Sequence, residues 1–319
     1  MGNLKYIVFV LLCFIANQSE AKSRNCTKEE KKVANQVLFD IESNEALRQK
    51  LLLTHLPFGV PQDILGGANE EILVQQGYVM NHDLDLRTSL WVAYKLTKAD
   101  MEGAKGKDRV NCFRKDPRIE QGSASSSDYK EPTFDQGHLA NDADLKDTLI
   151  EQLNSYLYTN MSPQYCRFNR GIWLSLEHLS RAWAKKYGEI YVMSGALFDK
   201  DHDGNRDHDS DASRMVSKNG KSRVAVPNAY YKTILRPLDN GMYTSITFVL
   251  EHTNDDQGAS WSEVKDKLIV LVNSIETVEA MGSMIQLFPN IERKNIVQSI
   301  DGDGWDLTLG RSNMSRSCK

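Results

Sequence analysis

A chain of 319 residues is long enough to bury a substantial core, as one large domain or two small ones. Its composition, 40% hydrophobic and 26% charged, excludes a disordered or fibrous protein. A net charge of −4 does not advertise a nucleic-acid partner, although a phosphate-binding cleft needs only local positive potential.

Lys5, the apolar run over residues 6–16 and the small-residue site Ser19-Glu20-Ala21 have the form of a secretory leader cleaved after Ala21. The run is shorter than the roughly 20 apolar residues that cross a bilayer. The mature chain is therefore expected to be secreted, with no membrane anchor. Cleavage also removes Cys13 and leaves Cys26, Cys112, Cys166 and Cys318, an even set that suggests two disulfides in one of three pairings. Joining Cys26 to Cys318 would pin both ends, and Cys112 to Cys166 would then brace the central motif. Asn25 and Asn313 head surface glycosylation sequons, whereas the sequon at Asn160 is expected to be buried.

Residues 28–53 predict a helix, with Thr27 and Glu30 forming a capping box. Residues 54–69 read as loop. Residues 76–96 predict two strands around the polar turn His82–Asp85. Residues 98–132 read as a long polar loop with short extended pieces, carrying Arg109, Arg114, Lys115 and Arg118. A strand is predicted over Leu153–Met161, ended by Pro163. A helix follows over Gly171–Tyr187, with Ile172, Trp173, Leu176, Leu179 and Trp183 as its apolar stripe. Glu189–Phe198 predicts a buried strand. Thr233–Leu235 and Thr244–Leu250 predict a hairpin around Asp239-Asn240-Gly241, and Trp261–Val272 and Thr277–Leu287 predict closing helices. The class expected is α+β, an antiparallel sheet flanked by helices.

The chemistry concentrates between Asp135 and Glu177. His138 follows Gly137, and histidine is the usual general base near neutral pH. Asn169 offers a neutral hard oxygen suited to Mg²⁺, which keeps most of its waters. Glu177 lies eight residues on, near the same helical face, where it could hold one of those waters. Taken singly, Asn169 equally suits a helix cap and Glu177 a solvated helix face.

The stretches Asp135-Gln136-Gly137-His138-Leu139-Ala140, Asn160–Gln164, Asn169-Arg170-Gly171-Ile172-Trp173 and Leu176-Glu177 resemble the DNA/RNA non-specific endonucleases, the ββα-metal nucleases. Trp91–Tyr94, Asp128-Tyr129, Val226-Pro227, Tyr230–Lys232 and Ile275-Glu276 are similar to other family positions. The resemblance runs from about Gly77 to about Pro289 and implies a ββα-metal motif in the α+β fold. It implies His138 as general base and Asn169 as the direct ligand of one Mg²⁺, with Mn²⁺ as a substitute. Glu177 would orient metal-bound water, Asn160 would hold the histidine loop or a phosphate oxygen, and Arg109 would clamp phosphate, with Arg114 in reserve. It also implies DNA or RNA as substrate and 5′-phosphate products; together with the leader and the N-terminal helix, the expected layout is leader 1–21, helical extension 22–70 and nuclease domain 71–319. One departure stands out. The family motif reads Asp-Arg-Gly-His, and Gln136 replaces the arginine, which removes a forked cation. That change and the acidic net charge motivate the alternative of a catalytically inactive nuclease-like domain that binds a protein or a polyanion.

Asp199, Asp201, Asp203 and Asp207, with Gly204 at the sixth position, resemble the first part of a calcium loop. Ser210 stands where the bidentate glutamate belongs, with Asp209 and Asp211 as imperfect substitutes. A structural Ca²⁺ and a solvated acidic loop are both open readings, the first of which would suit a calcium-dependent interaction protein.

Overall fold

Long runs of β-branched and aromatic residues pair into one sheet, as the computed structural model of the chain shows. It describes residues 23–62, 69–130, 133–216, 223–256, 258, 260–282, 286–311 and 318. The leader and the Asn313 sequon lie outside these residues. The sheet contains β2 (Glu70–Val74), β3 (Val79–Asp83), β4 (Thr88–Thr97), β8 (Glu189–Leu197), β9 (Ala229–Pro237), β10 (Tyr243–Glu251) and β11 (Val272–Asn273), ordered β11-β10-β9-β8-β4-β3-β2. These neighbours are antiparallel, and β12 (Ile296–Gln298) adds in parallel to β10. The central strands β4 and β8 are buried along nearly their whole length because both faces are covered, which is why they lack polar alternation. Trp91, Tyr94, Val192, Tyr231 and Ile234 belong to this core. The architecture is α+β, as expected.

Two expected turns close hairpins. Asp83 Oδ1 accepts from the Asp85 and Leu86 amides at 2.8 Å and turns β3 into β4. Leu238 and Met242 close the β9–β10 turn around Gly241, whose φ of +79° suits glycine.

The predicted N-terminal helix is two helices. Thr27 forms its capping box and starts α1 (Lys28–Ser43), but Asn44 is extended and its side chain caps α2 (Glu45–His55). Within the predicted loop 98–132, Thr97 caps a short helix, α3 (Lys98–Gly103), and β5 (Arg109–Asn111) pairs in parallel with β1 (Ser23–Asn25).

That pairing corrects the disulfide expectation. Register places Asn25 beside Asn111, so the next residues meet and Cys26 bonds to Cys112, with Cα atoms 5.2 Å apart. Cys166 bonds instead to Cys318. Residues 153–161 also depart from expectation. Thr148 caps α4 (Leu149–Ser155), and a 3₁₀ turn over Tyr158–Asn160 precedes β7 (Met161–Tyr165). Leu153, Asn154 and Ser155 are all buried, which erases the helical stripe that would have marked this segment.

A separate two-stranded ribbon pairs β6 (Phe134–His138) with β7. Pro163 lies within β7, opposite Gln136, rather than ending a strand. The chain then makes a helical turn at Cys166–Phe168, a π turn at Asn169–Trp173, and α5 (Leu174–Tyr187). The predicted stripe Ile172, Trp173, Leu176, Leu179 and Trp183 is buried, and α5 packs on β8 and β4. Two strands and a helix thus carry the candidate site.

Candidate active site

His138 ends β6, and the loop after it is held from behind by Asn160. Asn160 Oδ1 accepts from the Ala140 amide at 2.9 Å, and Nδ2 donates to the carbonyls of Ala140 at 2.8 Å and Ser155 at 2.7 Å. Its backbone carbonyl accepts from Leu139 at 3.1 Å. With both amide hydrogens committed and no exposed surface, Asn160 can hold the histidine loop but cannot reach a phosphate oxygen. Gly137 suits a close approach: a Cβ there would collide with the Gln164 side chain. The crowding comes from β7, not from substrate.

The imidazole of His138 stands edge-on to Tyr156, with centroids 4.8 Å apart. Its Nε2 is buried without a hydrogen-bond partner among the described residues. Burial lowers its pKa to about 4; Asp142 opposes the shift and Arg109 adds to it. The ring is therefore neutral at neutral pH. Its backbone carbonyl accepts from Trp173 Nε1 at 3.2 Å, which ties β6 to the π turn.

Asn169 lies in that π turn, so the simple eight-residue helical register to Glu177 does not hold. Both nevertheless line one cleft of about 240 Å³ with His138. Asn169 Nδ2 donates to Asp135 Oδ2 at 3.0 Å. The planar amide consequently presents Oδ1, a neutral hard oxygen, away from Asp135. Glu177 is buried, and burial raises its pKa; Arg181, Lys232 and a hydrogen bond from Asn141 oppose this, while Asp144 adds to it. Asp144 is fixed by Arg181 at 2.7 Å and by the Tyr94 hydroxyl at 2.7 Å. Lys232 is buried behind, donating to Ser194 Oγ at 2.5 Å and lying 4.4 Å from the Trp173 ring centre. Two carboxylates and two cations thus share the interior under the cleft.

The arginines of loop 98–132 separate by environment. Arg109 lines the cleft, where Nε donates to the Tyr156 hydroxyl at 2.7 Å and sits 3.3 Å from Asp142 Oδ2, with 41% of its side chain exposed. Arg114 is buried and bonded to Asn35, the Cys112 and Leu153 carbonyls, and Asn154, so it serves the fold. Arg118 is likewise buried against Asp116. Further cleft cations were not anticipated. Arg170 pairs bidentately with Asp135 at 2.7 Å, and Arg181 pairs with Asp144. Lys146 also lines the cleft and has no carboxylate partner among the described residues. Its only signal in the sequence was proximity to the histidine. Gln136 lines the same wall.

In the acidic loop, ligand atoms of Asp199, Asp201 and Asp203 lie within 4.8 Å of one another. Asp207 is not in that group, and its Oδ2 accepts from the Lys200 amide at 2.6 Å. Asp209 pairs with Arg206 rather than completing a ligand set.

Residues 61–289 match the family described as DNA/RNA non-specific endonuclease. The chain is 31% identical over 217 residues to "Nuclease C1" of Cunninghamella echinulata var. echinulata, covering 67% of this chain and 82% of that one. It is 27% identical over 263 residues to "Endonuclease G, mitochondrial" of Caenorhabditis elegans, covering 77% and 81%. Its fold is similar to the chain in "Crystal structure of the EndoG/EndoGI complex: Mechanism of EndoG inhibition", with TM-score 0.61 and 24% identity over 77% of this chain and 95% of that one.

Proposed function

Because this chain belongs to the DNA/RNA non-specific endonuclease family, we propose that it hydrolyses phosphodiesters of DNA and RNA with His138 as general base. It is an enzyme, and its substrate is nucleic acid. The observation that carries the atomic reading is the His138 ring itself, which lines one cleft with Asn169 and Glu177. A neutral ring keeps one nitrogen lone pair for the proton of the attacking water.

The donor set fits a hard divalent cation. Asn169 offers an amide oxygen, and Glu177 a buried carboxylate whose ionised form a nearby dication would favour. Asn169 would hold Mg²⁺, or Mn²⁺ in its place, with Glu177 behind it. When bound, the ion supplies charge stabilisation at the phosphate and the leaving oxygen. Arg109 and Lys146 supply positive charge for phosphate oxygens, and Asn160 fixes the loop that aims His138. Contacts to phosphate rather than to base edges give little sequence preference. The products would carry 5′-phosphate ends.

Gln136 does not leave the cleft uncharged, since Arg109, Lys146, Arg170 and Arg181 line it. His138, Asn169 and Glu177 together in one cleft weigh against an inactive binding domain, which has no need of all three. The reading extends to secretion after removal of residues 1–21, a helical extension over 22–70 and a nuclease domain over 71–319. No helix among the described residues is long and apolar enough to cross a membrane. A structural Ca²⁺ at Asp199, Asp201 and Asp203 belongs to the same reading.

Digestion of plasmid DNA and of RNA by the mature protein, with Mg²⁺ and with EDTA, tests the proposal. Cleavage that EDTA abolishes is expected; intact nucleic acid after incubation of well-folded protein with Mg²⁺ or Mn²⁺ would overturn it.

A further inference from the structure

Phe113 is a large apolar residue with 36% of its surface exposed, and it lines the cleft. Its ring centre lies 6.1 Å from that of His138. It stands edge-on to Tyr156 at 4.9 Å and tilted to Tyr158 at 6.2 Å. Both neighbours in sequence are anchored. Cys112 is buried and disulfide-bonded to Cys26, and Arg114 is buried with its guanidinium bonded to four groups. Cys112 and Tyr156 also belong to a satellite core with Ala34, Val110 and Leu153. The backbone of Phe113 is thus fixed on both sides while its ring is presented to solvent beside the histidine.

We propose that Phe113 is a stacking platform for the nucleobase next to the scissile phosphate, making it a specificity-determining residue that favours unpaired strands. The inference rests on the nuclease reading above for its substrate. Every base has a π face, so stacking on an aromatic ring is tolerant of sequence and compatible with non-specific cleavage. A base in a duplex must first leave its stack and its pair to meet such a ring. In single-stranded DNA or RNA that cost is smaller. Pre-ordering by the disulfide and by Arg114 lowers the entropy lost when the base docks.

The test compares wild type, Phe113→Ala and Phe113→Trp on short oligonucleotides. Each has one cleavable phosphodiester among methylphosphonate linkages, with either bases or abasic sugars on both sides of it. For the base-bearing single strand, Phe113→Ala is expected to lower kcat/KM roughly tenfold, mainly through KM, while Phe113→Trp retains it. On the abasic substrate the two variants should match wild type, and on duplex DNA the loss should be smaller. Equal loss on base-bearing and abasic substrates, or no loss on either, would overturn the platform. A parallel binding measurement separates this inference from the nuclease reading. Full-length His138→Ala, with and without Phe113→Ala, is titrated into a fluorescent single-stranded oligonucleotide. If wild type cleaves nothing, the nuclease reading fails, and weaker binding on loss of the ring still sustains the platform. Identical binding overturns it.

Discussion

The indole Nε1 of Trp173 donates to the backbone carbonyl of His138 at 3.2 Å, across 35 residues of chain. This bond joins the strand that carries the histidine to the turn that carries Asn169. Trp173→Phe keeps most of the buried ring but removes the donor. It should cost about 1 kcal/mol of stability and lower kcat by roughly tenfold, because small displacements of reacting groups are costly. Urea unfolding beside steady-state kinetics checks this; a stability loss with unchanged kcat would show that the bond only holds the fold.

Gly137 and Gln164 define a second constraint. Gly137→Ala places a methyl group where Gln164 Oε1 lies, and overpacking of this kind costs about 1–3 kcal/mol. The double variant Gly137→Ala/Gln164→Ala should recover much of that stability, as read by denaturation midpoints. Additive losses in the double variant would place the strain elsewhere.

Three buried histidines, His82, His138 and His252, have pKa values lowered to about 4, chiefly by burial. Each binds a proton near 6.5 when unfolded and only near 4 when folded. Between those values the unfolded chain holds more protons, so each contributes stability that is lost as pH falls from about 6.5 to 4. Glu177 and Glu151, with raised pKa values, act in the opposite sense, so a variant isolates the effect better than a global profile. The stability gap between wild type and His82→Gln should shrink by a few kcal/mol as pH is lowered from 7 to 4. A gap that stays constant in urea titrations would show that His82 is not held neutral by the fold.

Non-reducing peptide mapping of the purified protein should recover Cys26 linked to Cys112 and Cys166 linked to Cys318. Replacing Cys112 by serine should cost about 2–4 kcal/mol by thermal unfolding. Recovery of a Cys26–Cys318 peptide would contradict the parallel pairing of β1 with β5.

Local sequence marked His138, Asn169 and Glu177, and one strand, one turn and one helix bring them to one cleft, although the eight-residue helical register drawn between the last two does not hold. Local sequence was not enough to choose among the arginines. Arg114 is buried because Asn35, 79 residues earlier, lies across its guanidinium, and no local pattern encodes that contact. The helix at Leu149–Ser155 was hidden because its polar residues Gln152, Asn154 and Ser155 are buried beside Leu153, and the disulfide pairing by a two-strand contact 86 residues apart. Lys232 lies in the stretch Tyr230–Lys232 that resembles a family position, but only the fold sets its ammonium over Trp173 and behind Glu177. The sheet strands were legible from composition, while the supports of the site depended on long-range contacts.

The central claim is that His138 removes the proton from the attacking water. Its most direct test is the single-turnover cleavage rate of His138→Ala at saturating Mg²⁺, with oligonucleotide affinity and melting temperature measured on the same sample. The account predicts a rate lower by roughly 10²–10⁴ with affinity and fold retained. A rate equal to wild type would contradict it.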